Sequence, residues 1–301
     1  MMRHKGAQHT RGLAPQPAKG LDWSRPRRRL TDLAPRVASS LVLAAAPLTA
    51  VWLGGAIFSM IWFIATLAVG WEWQTLIGAA RPRLRFLAAA AALALATYLA
   101  EQQHYLAACA ILVLGGALAA LAAEPGKRVW TFCGVPYAGA LIVSVSLLYF
   151  SPTDGSRAIF WLCATVWGTD VFAYFGGRLI GGPKLWPQIS PSKTWSGTLC
   201  GVVAGASLGA IVGAHGVSAT RLLAPIFALG LVTAIVSQAG DIFESFVKRR
   251  FGVKDSSALI PGHGGFMDRL DGFIAAGAFA ALVGALHGAP GAFAAGLFDW
   301  G

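Results

Sequence analysis

The chain has 301 residues, of which 56% are hydrophobic and 12% charged, and its mean hydropathy is +0.61. A soluble domain carries about 25% charged residues, so this composition excludes a disordered chain, a coiled coil and an ordinary globular domain, and leaves an integral membrane protein. The net charge of +11 comes from 24 Lys and Arg against 13 Asp and Glu, and the placement of those charges carries more meaning than their sum.

Residues 1–36 hold nine basic residues, including Arg25, Arg27, Arg28 and Arg29, and four prolines, Pro15, Pro17, Pro26 and Pro35. This segment reads as a disordered, basic cytoplasmic leader that sets orientation or meets anionic lipid. It is too long and too basic for a cleaved signal peptide. No aromatic-studded basic fold follows it, so nucleic acid is not an expected partner.

Nine charge-poor runs follow: Val37–Leu53, Ala56–Trp73, Phe86–Ala100, Tyr105–Ala123, Val129–Phe150, Ala158–Gly177, Gly197–Gly216, Leu222–Val247 and Phe273–Leu286. A span needs about 20 apolar residues. The expected fold is therefore all-α and polytopic, with about nine transmembrane helices in one catalytic domain over residues 37–301. The first two runs are divided only by Gly54 and Gly55, the third and ninth are short, and the eighth is expected to continue into water as an amphipathic helix. With the N-terminus in the cytoplasm, strict alternation puts 22 of the 24 basic residues inside and only Arg157 and Arg221 outside. That is the positive-inside pattern. Cys109, Cys133, Cys163 and Cys200 all lie in apolar runs without CxxC spacing, which argues against disulfides and a zinc site.

The N-terminal half offers little chemistry. Glu72 lies between Trp71 and Trp73, which read as interface anchors, and is expected to be structural. Glu101, Glu124 and Asp154 read as solvated loop acids. The C-terminal half differs. Asp170 falls inside the sixth run, where a carboxylate costs roughly 2.5–3.5 kcal/mol even on the lenient insertion scale and so suggests function. Gly176, Gly177, Gly181, Gly182 and Lys184 follow. Ser190, Ser192, Lys193, Thr194 and Ser196 then lead into the seventh run, where hydroxyls, a cation and free helix N–H groups together suit an anion; Ser196 as a simple N-cap is the plainer reading.

The densest stretch is Gly240–Asp271, with five acids, five basic residues and His263. Asp241, Glu244, Ser245 and Lys248 share one helix face at i, i+3, i+4 and i+7, and Asp268 and Asp271 share another at i, i+3. Between them lie Lys254, Asp255 and Pro261-Gly262-His263-Gly264-Gly265. Oxygen ligands from several segments suit a hard divalent cation, and flanking Arg and Lys suit polyphosphate. The pattern points to metal-assisted phosphoryl or nucleotidyl transfer at the cytoplasmic face.

The 27-residue run Ser245–Asp271, with Ser245, Lys248, Arg249, Lys254, Asp255, Ser257, Pro261, His263, Gly264, Gly265, Asp268, Arg269 and Asp271, resembles the signature of the phosphatidate cytidylyltransferases (CDP-diacylglycerol synthases). Asp170, Tyr174 and Gly177, and then Ser190, Lys193, Thr194, Trp195 and Gly197, resemble that family in the same order. The resemblance is specific over 161–273 and architectural before that. It implies transfer of CMP from CTP to phosphatidate, giving CDP-diacylglycerol and pyrophosphate, with Mg²⁺ and room for a monovalent cation such as K⁺. Asp241 and Asp268 are then the first choices as metal ligands, helped by Asp170 and Asp271. Lys193, Lys248 and Arg249 would hold phosphates, with Ser190, Thr194 and Ser245 donating hydrogen bonds. Lys254, Asp255 and Arg269 complete the substrate set, and His263 would bind phosphate or move a proton. Expected partners are CTP, phosphatidate and membrane lipid, with a homodimer allowed, in a bacterial inner membrane. Two other readings stay open: CTP-dependent transfer to another lipid phosphate or polyprenol, and a cation-coupled transporter using Asp170 and Asp241.

Overall fold

The computed structural model describes residues 33–215, 219–260, 262 and 264–300. Most of the expected leader, and Pro261 and His263, lie outside the described residues. The described chain forms nine α-helices: α1 (Leu33–Leu53), α2 (Gly55–Leu76), α3 (Pro82–Glu101), α4 (Tyr105–Leu121), α5 (Arg128–Tyr149), α6 (Gly155–Leu179), α7 (Trp195–Gly213), α8 (Ala219–Arg250) and α9 (Met267–His287). Each coincides with one charge-poor run. Seven are long and apolar enough to cross a membrane, whereas α4 and the apolar part of α1, Leu41–Leu53, are shorter. Of the about nine spans expected, length and composition support seven among the described residues.

The helix ends follow from local chemistry. Gly54 and Gly55 take φ of 66° and 51°, a left-handed pair that a β-carbon disfavours, and so α1 and α2 are separate helices. At 32 residues α8 is about 48 Å long at 1.5 Å per residue, well beyond a hydrocarbon core of about 30 Å. It stops at a Schellman-type turn: Gly252 has φ 73°, and the Val253 N–H donates to the Lys248 carbonyl at 3.0 Å.

The all-α expectation needs one correction. Two short antiparallel strands, β1 (Lys184–Trp186) and β2 (Ser190–Thr194), form a hairpin between α6 and α7. Gly181 and Gly182, with φ of 67° and 102°, turn the chain out of α6. Ser190 and Lys193 thus stand on a strand, which Thr194 ends at the N-terminus of α7. The cap of α7 is Thr194, whose Oγ1 accepts from the Gly197 N–H at 3.1 Å. Ser196 is not the cap; its hydroxyl donates to the Gly181 carbonyl.

The most extensive helix contact is α6 against α7, and glycine makes it. Gly197, Gly201, Gly205, Gly209 and Gly213 recur at every fourth residue along one face of α7. A β-carbon at Gly197 would stand 2.6 Å from the Ala173 carbonyl oxygen, at Gly201 2.8 Å from Ala173 Cβ, and at Gly205 2.6 Å from the Thr165 carbonyl oxygen. Close backbone approach of this kind is how helices associate where lipid removes the hydrophobic drive. The opposed Thr165 and Thr169 hydroxyls donate to carbonyls of their own helix, Trp161 and Thr165, at 2.9 and 2.7 Å, and so need no partner across the seam. α5 is the most buried of the seven and touches α2, α3, α4, α6 and α9.

The two ends of the bundle differ in chemistry. At one end the C-terminal turns of α2, α6 and α8 meet the N-terminal turns of α5, α7 and α9. Trp73 Nε1 donates to the Trp130 carbonyl at 2.8 Å, and Lys127 Nζ to the Gly78 carbonyl at 2.7 Å. Trp73 is fully buried beside Tyr137 and Phe243, so it is core and not the interface anchor expected of it; Trp71 stays 38% exposed. Arg85 is buried as well, donating to Gln74 Oε1 and to the Ala79 and Ala80 carbonyls, all at 2.8 Å, where it satisfies carbonyls of the connection between α2 and α3. At the other end Arg157 pairs with Asp154 at 2.9 Å and stacks over Phe298.

The α6–α7 seam generates a prediction. Gly205→Leu should destabilise the purified protein by about 1–3 kcal/mol or more through overpacking, read as a lower thermal midpoint in detergent. Val203→Leu, at a 53% exposed position on the same helix, should leave the midpoint unchanged.

Candidate active site

At the charged end one cavity of about 1060 Å³ opens between α1, α2, α6, β2, α8 and α9. Its two regions are chemically unlike. One wall is apolar: Val42, Leu43 and Pro47 of α1, Ile61 and Trp62 of α2, and Phe273 of α9, with Trp62 stacked on Phe273 at 5.2 Å. The other is dense in charge, with carboxylates from Asp170, Asp241, Asp255, Asp268 and Asp271 and cations from Arg178, Lys193, Lys248 and Arg269. Thr194 also lines it.

The i, i+3, i+4, i+7 face expected on α8 forms as such. Lys193 Nζ reaches from β2 to Asp241 Oδ2 at 2.6 Å and to Gln238 Oε1 at 2.9 Å. Lys248 Nζ sits between Glu244 Oε2 at 2.6 Å and Asp268 Oδ1 at 2.7 Å. The Lys193 pair is partly open to water, with Asp241 31% exposed, and contributes little to stability. The Lys248 trio is different: Glu244 is fully buried, and removing one member of a buried pair costs about 3–5 kcal/mol because a charge is left uncompensated.

Asp268 is held in place by its own loop. Its carboxylate accepts from the Ser256 N–H at 3.0 Å to Oδ2 and from the Gly265 N–H at 2.8 Å, and the Ser256 hydroxyl lies 3.0 Å from Oδ2, shared between this carboxylate and that of Glu72. The Gly-rich turn follows from this. Gly264 has φ 85°, and a β-carbon there would stand 2.7 Å from Asp268 Oδ2. At Gly265 a β-carbon would collide with Ser256 Oγ and Glu72 Oε1. Glycine at 264 and 265 is thus required by two carboxylates lying against this stretch.

The second of these, Glu72, is fully buried. Oε1 accepts from the Ser257 hydroxyl at 2.5 Å and the Phe266 N–H at 2.9 Å; Oε2 accepts from the Ser256 hydroxyl at 3.1 Å and the Met267 N–H at 2.6 Å. The two amides are first donors of α9, which lack partners within the helix, and an anion at that end gains about 0.3–2 kcal/mol from the helix dipole.

The other expected site residues are distributed as follows. Asp170 is exposed towards the cavity, in the last turns of α6. Ser190 and Ser245 are buried and do not line the cavity. Arg249 is exposed and donates to the Val253 carbonyl at 2.9 Å, closing the end of α8. Lys254 is exposed beside the cavity's Asp255. His263 lies outside the described residues. Sequence reasoning missed Gln238, which stands one turn before Asp241 on the same face, and Arg178, in the last turn of α6.

Among the described residues no three His, Cys, Asp or Glu side chains form a preformed metal-ligand group. The cavity does supply the hard oxygen donors that a divalent cation takes, from Asp170, Asp241 and Asp271 on three different helices. All four cysteines are free, as expected.

The model of the Cytidylyltransferase family matches residues 34–287, which is every described helix but the first residue of α1. A phosphatidate cytidylyltransferase of Brucella abortus biovar 1 is 37% identical over 272 residues, covering 90% of this chain and 100% of the relative. One of Brucella suis biovar 1 is 37% identical over 262 residues, covering 87% and 96%. One of Staphylococcus haemolyticus is 40% identical over 134 residues, covering 44% and 51%. Full-length similarity at this level, over a cavity built from the matching motifs, makes the chain a member of the phosphatidate cytidylyltransferase family.

Proposed function

We propose that the chain transfers CMP from CTP to phosphatidate, forming CDP-diacylglycerol and pyrophosphate. The observation that carries this reading is the single cavity with one apolar wall and one charged wall, which suits a lipid phosphate and a nucleotide triphosphate together. An oxygen of the phosphatidate phosphate attacks the α-phosphorus of CTP, the bond from that phosphorus to the bridging oxygen breaks, and pyrophosphate leaves with the electron pair. Phosphatidate is already ionised, so the attack needs no strong general base. Lys193, Lys248, Arg178 and Arg269 bind and orient the phosphates, and the apolar wall holds the acyl chains and excludes water.

The charge count supports a divalent cation. Five carboxylates and four cations line the cavity, leaving it slightly negative before two phosphate-bearing substrates enter. Mg²⁺ held by Asp241, Asp271 and Asp170, with Asp268 as the further ligand, would supply the missing positive charge and stabilise attacking and leaving oxygens when bound. A monovalent cation beside it would act in the same direction. The nine helices are then nine spans, with the charged end in the cytoplasm of a bacterial inner membrane, where CTP is found.

Two measurements test this reading. CTP labelled at its α-phosphate should label phosphatidate in the presence of Mg²⁺ and not after chelation. Transfer of a γ-label, or labelling of polyprenol phosphate instead, would replace it with the corresponding kinase or polyprenol reading. Asp241→Asn should lower turnover on the order of 10³-fold or more while the protein still folds, since several kcal/mol of transition-state stabilisation are lost.

Sidedness is tested with single cysteines in a background lacking Cys109, Cys133, Cys163 and Cys200. Leu259→Cys, in the exposed loop after α8, should react with an impermeant thiol reagent from the cytoplasmic face alone. Thr153→Cys, at the opposite end of the bundle, should react from the other face alone. Labelling of position 259 from outside would invert the orientation.

A further inference from the structure

We infer that Glu72, in the N-terminal half and outside every recognised motif, is a positioning residue for the active-site loop. It acts by tying both strands of the loop between α8 and α9 to α2.

The geometry distinguishes this from ordinary burial of an acid. The loop leaves α8 at Gly252 and returns at Phe266. Glu72 takes a hydroxyl from each of Ser256 and Ser257 on the outgoing strand, and the Phe266 and Met267 amides on the returning one. All four bonds go to this one loop and the first turn of α9, none to the rest of α2. The Ser256 hydroxyl also lies 3.0 Å from Asp268 Oδ2, so Glu72 is one bridging residue away from a carboxylate of the cavity. That carboxylate in turn holds Lys248 at 2.7 Å. The chain of contacts runs from α2 through Ser256 and Asp268 to Lys248, the cation that faces the phosphates.

Neutral replacements cannot reproduce this arrangement. Each oxygen of Glu72 accepts from one serine hydroxyl and one backbone N–H, so the amide nitrogen of a glutamine would face a committed donor and leave a first-turn N–H of α9 unpaired. The loop would loosen, Asp268 and Lys248 would lose their fixed placement, and a misplacement of about 1 Å at a reacting centre costs about 10²-fold in rate.

The inference rests on the cytidylyl-transfer reading, and its test separates the two. Glu72→Gln and Ser257→Ala are made singly and together in full-length protein, each also carrying Leu259→Cys or Thr153→Cys in the cysteine-free background. Glu72→Gln is expected to lower kcat about 10²-fold with KM for CTP changed far less, and to raise thiol labelling at position 259 severalfold while labelling at 153 stays unchanged. Ser257→Ala should lower kcat less, and the double variant should match Glu72→Gln alone, because both changes break one network. Unchanged labelling at 259 with unchanged kcat overturns the inference. So does labelling that rises equally at 259 and 153, which marks Glu72 as a determinant of general stability. Should the protein transfer no cytidylyl group at all, the labelling response at 259 still decides whether Glu72 holds the loop.

Discussion

A carboxylate withdrawn from water must find donors, and the charged end of this bundle is organised by two that do. Glu72 accepts four hydrogen bonds, and Asp268 accepts from Ser256, Gly265 and Lys248. An isolated buried carboxylate would be driven to protonate or to pull its segment into water. Here the demand is met by serine hydroxyls and amides of the loop and by the first amides of α9, which lack partners within the helix. Each side supplies what the other lacks, and a connection of polar residues becomes a fixed wall of the cavity.

That solution depends on helices being placed closely. Asp170 on α6 and Lys193 on β2 enter the same cavity because the glycine face of α7 lets α6 approach to backbone contact. Thr194 caps α7 on the way and sets where the hairpin joins the bundle. A bulkier seam would move the hairpin, and with it the ammonium group that meets Asp241 at 2.6 Å. The packing of small residues in the apolar part and the charge geometry at its end are therefore one problem.

Much of this is legible in the sequence, for definite reasons. Helices appear as runs without charge, because lipid tolerates little else, and each of the nine runs holds one helix. The pairing of Glu244 with Lys248 follows from helical spacing alone. What sequence reasoning misses depends on long-range contact. β1 and β2 are too short and too polar to show alternation, so Ser190–Thr194 reads as a helix start. Trp73 resembles an interface anchor by composition and is core because Trp130, 57 residues later, receives its N–H. Glu72 gives no local sign of its partners, since the serines that bind it stand more than 180 residues away. The glycine period of α7 is visible in the sequence; its partner, α6, is not.

The two lysines of the cavity show why stability and reactivity can share one set of charges. Lys193 and Lys248 are each already bound by carboxylate oxygens, so under the proposed function a phosphate would not meet a bare cation and would not have to order a long side chain. It would meet an ammonium group already held in place. The arrangement weakens each lysine as a simple electrostatic attractor and strengthens it as a fixed donor. For the proposed phosphoryl chemistry, where positioning and preorganised charge carry most of the rate, that exchange would favour the reaction. Under the proposed function it also gives the acids beside an anion-accepting site a role besides holding a metal ion. They serve as the rigid frame on which the cations are mounted.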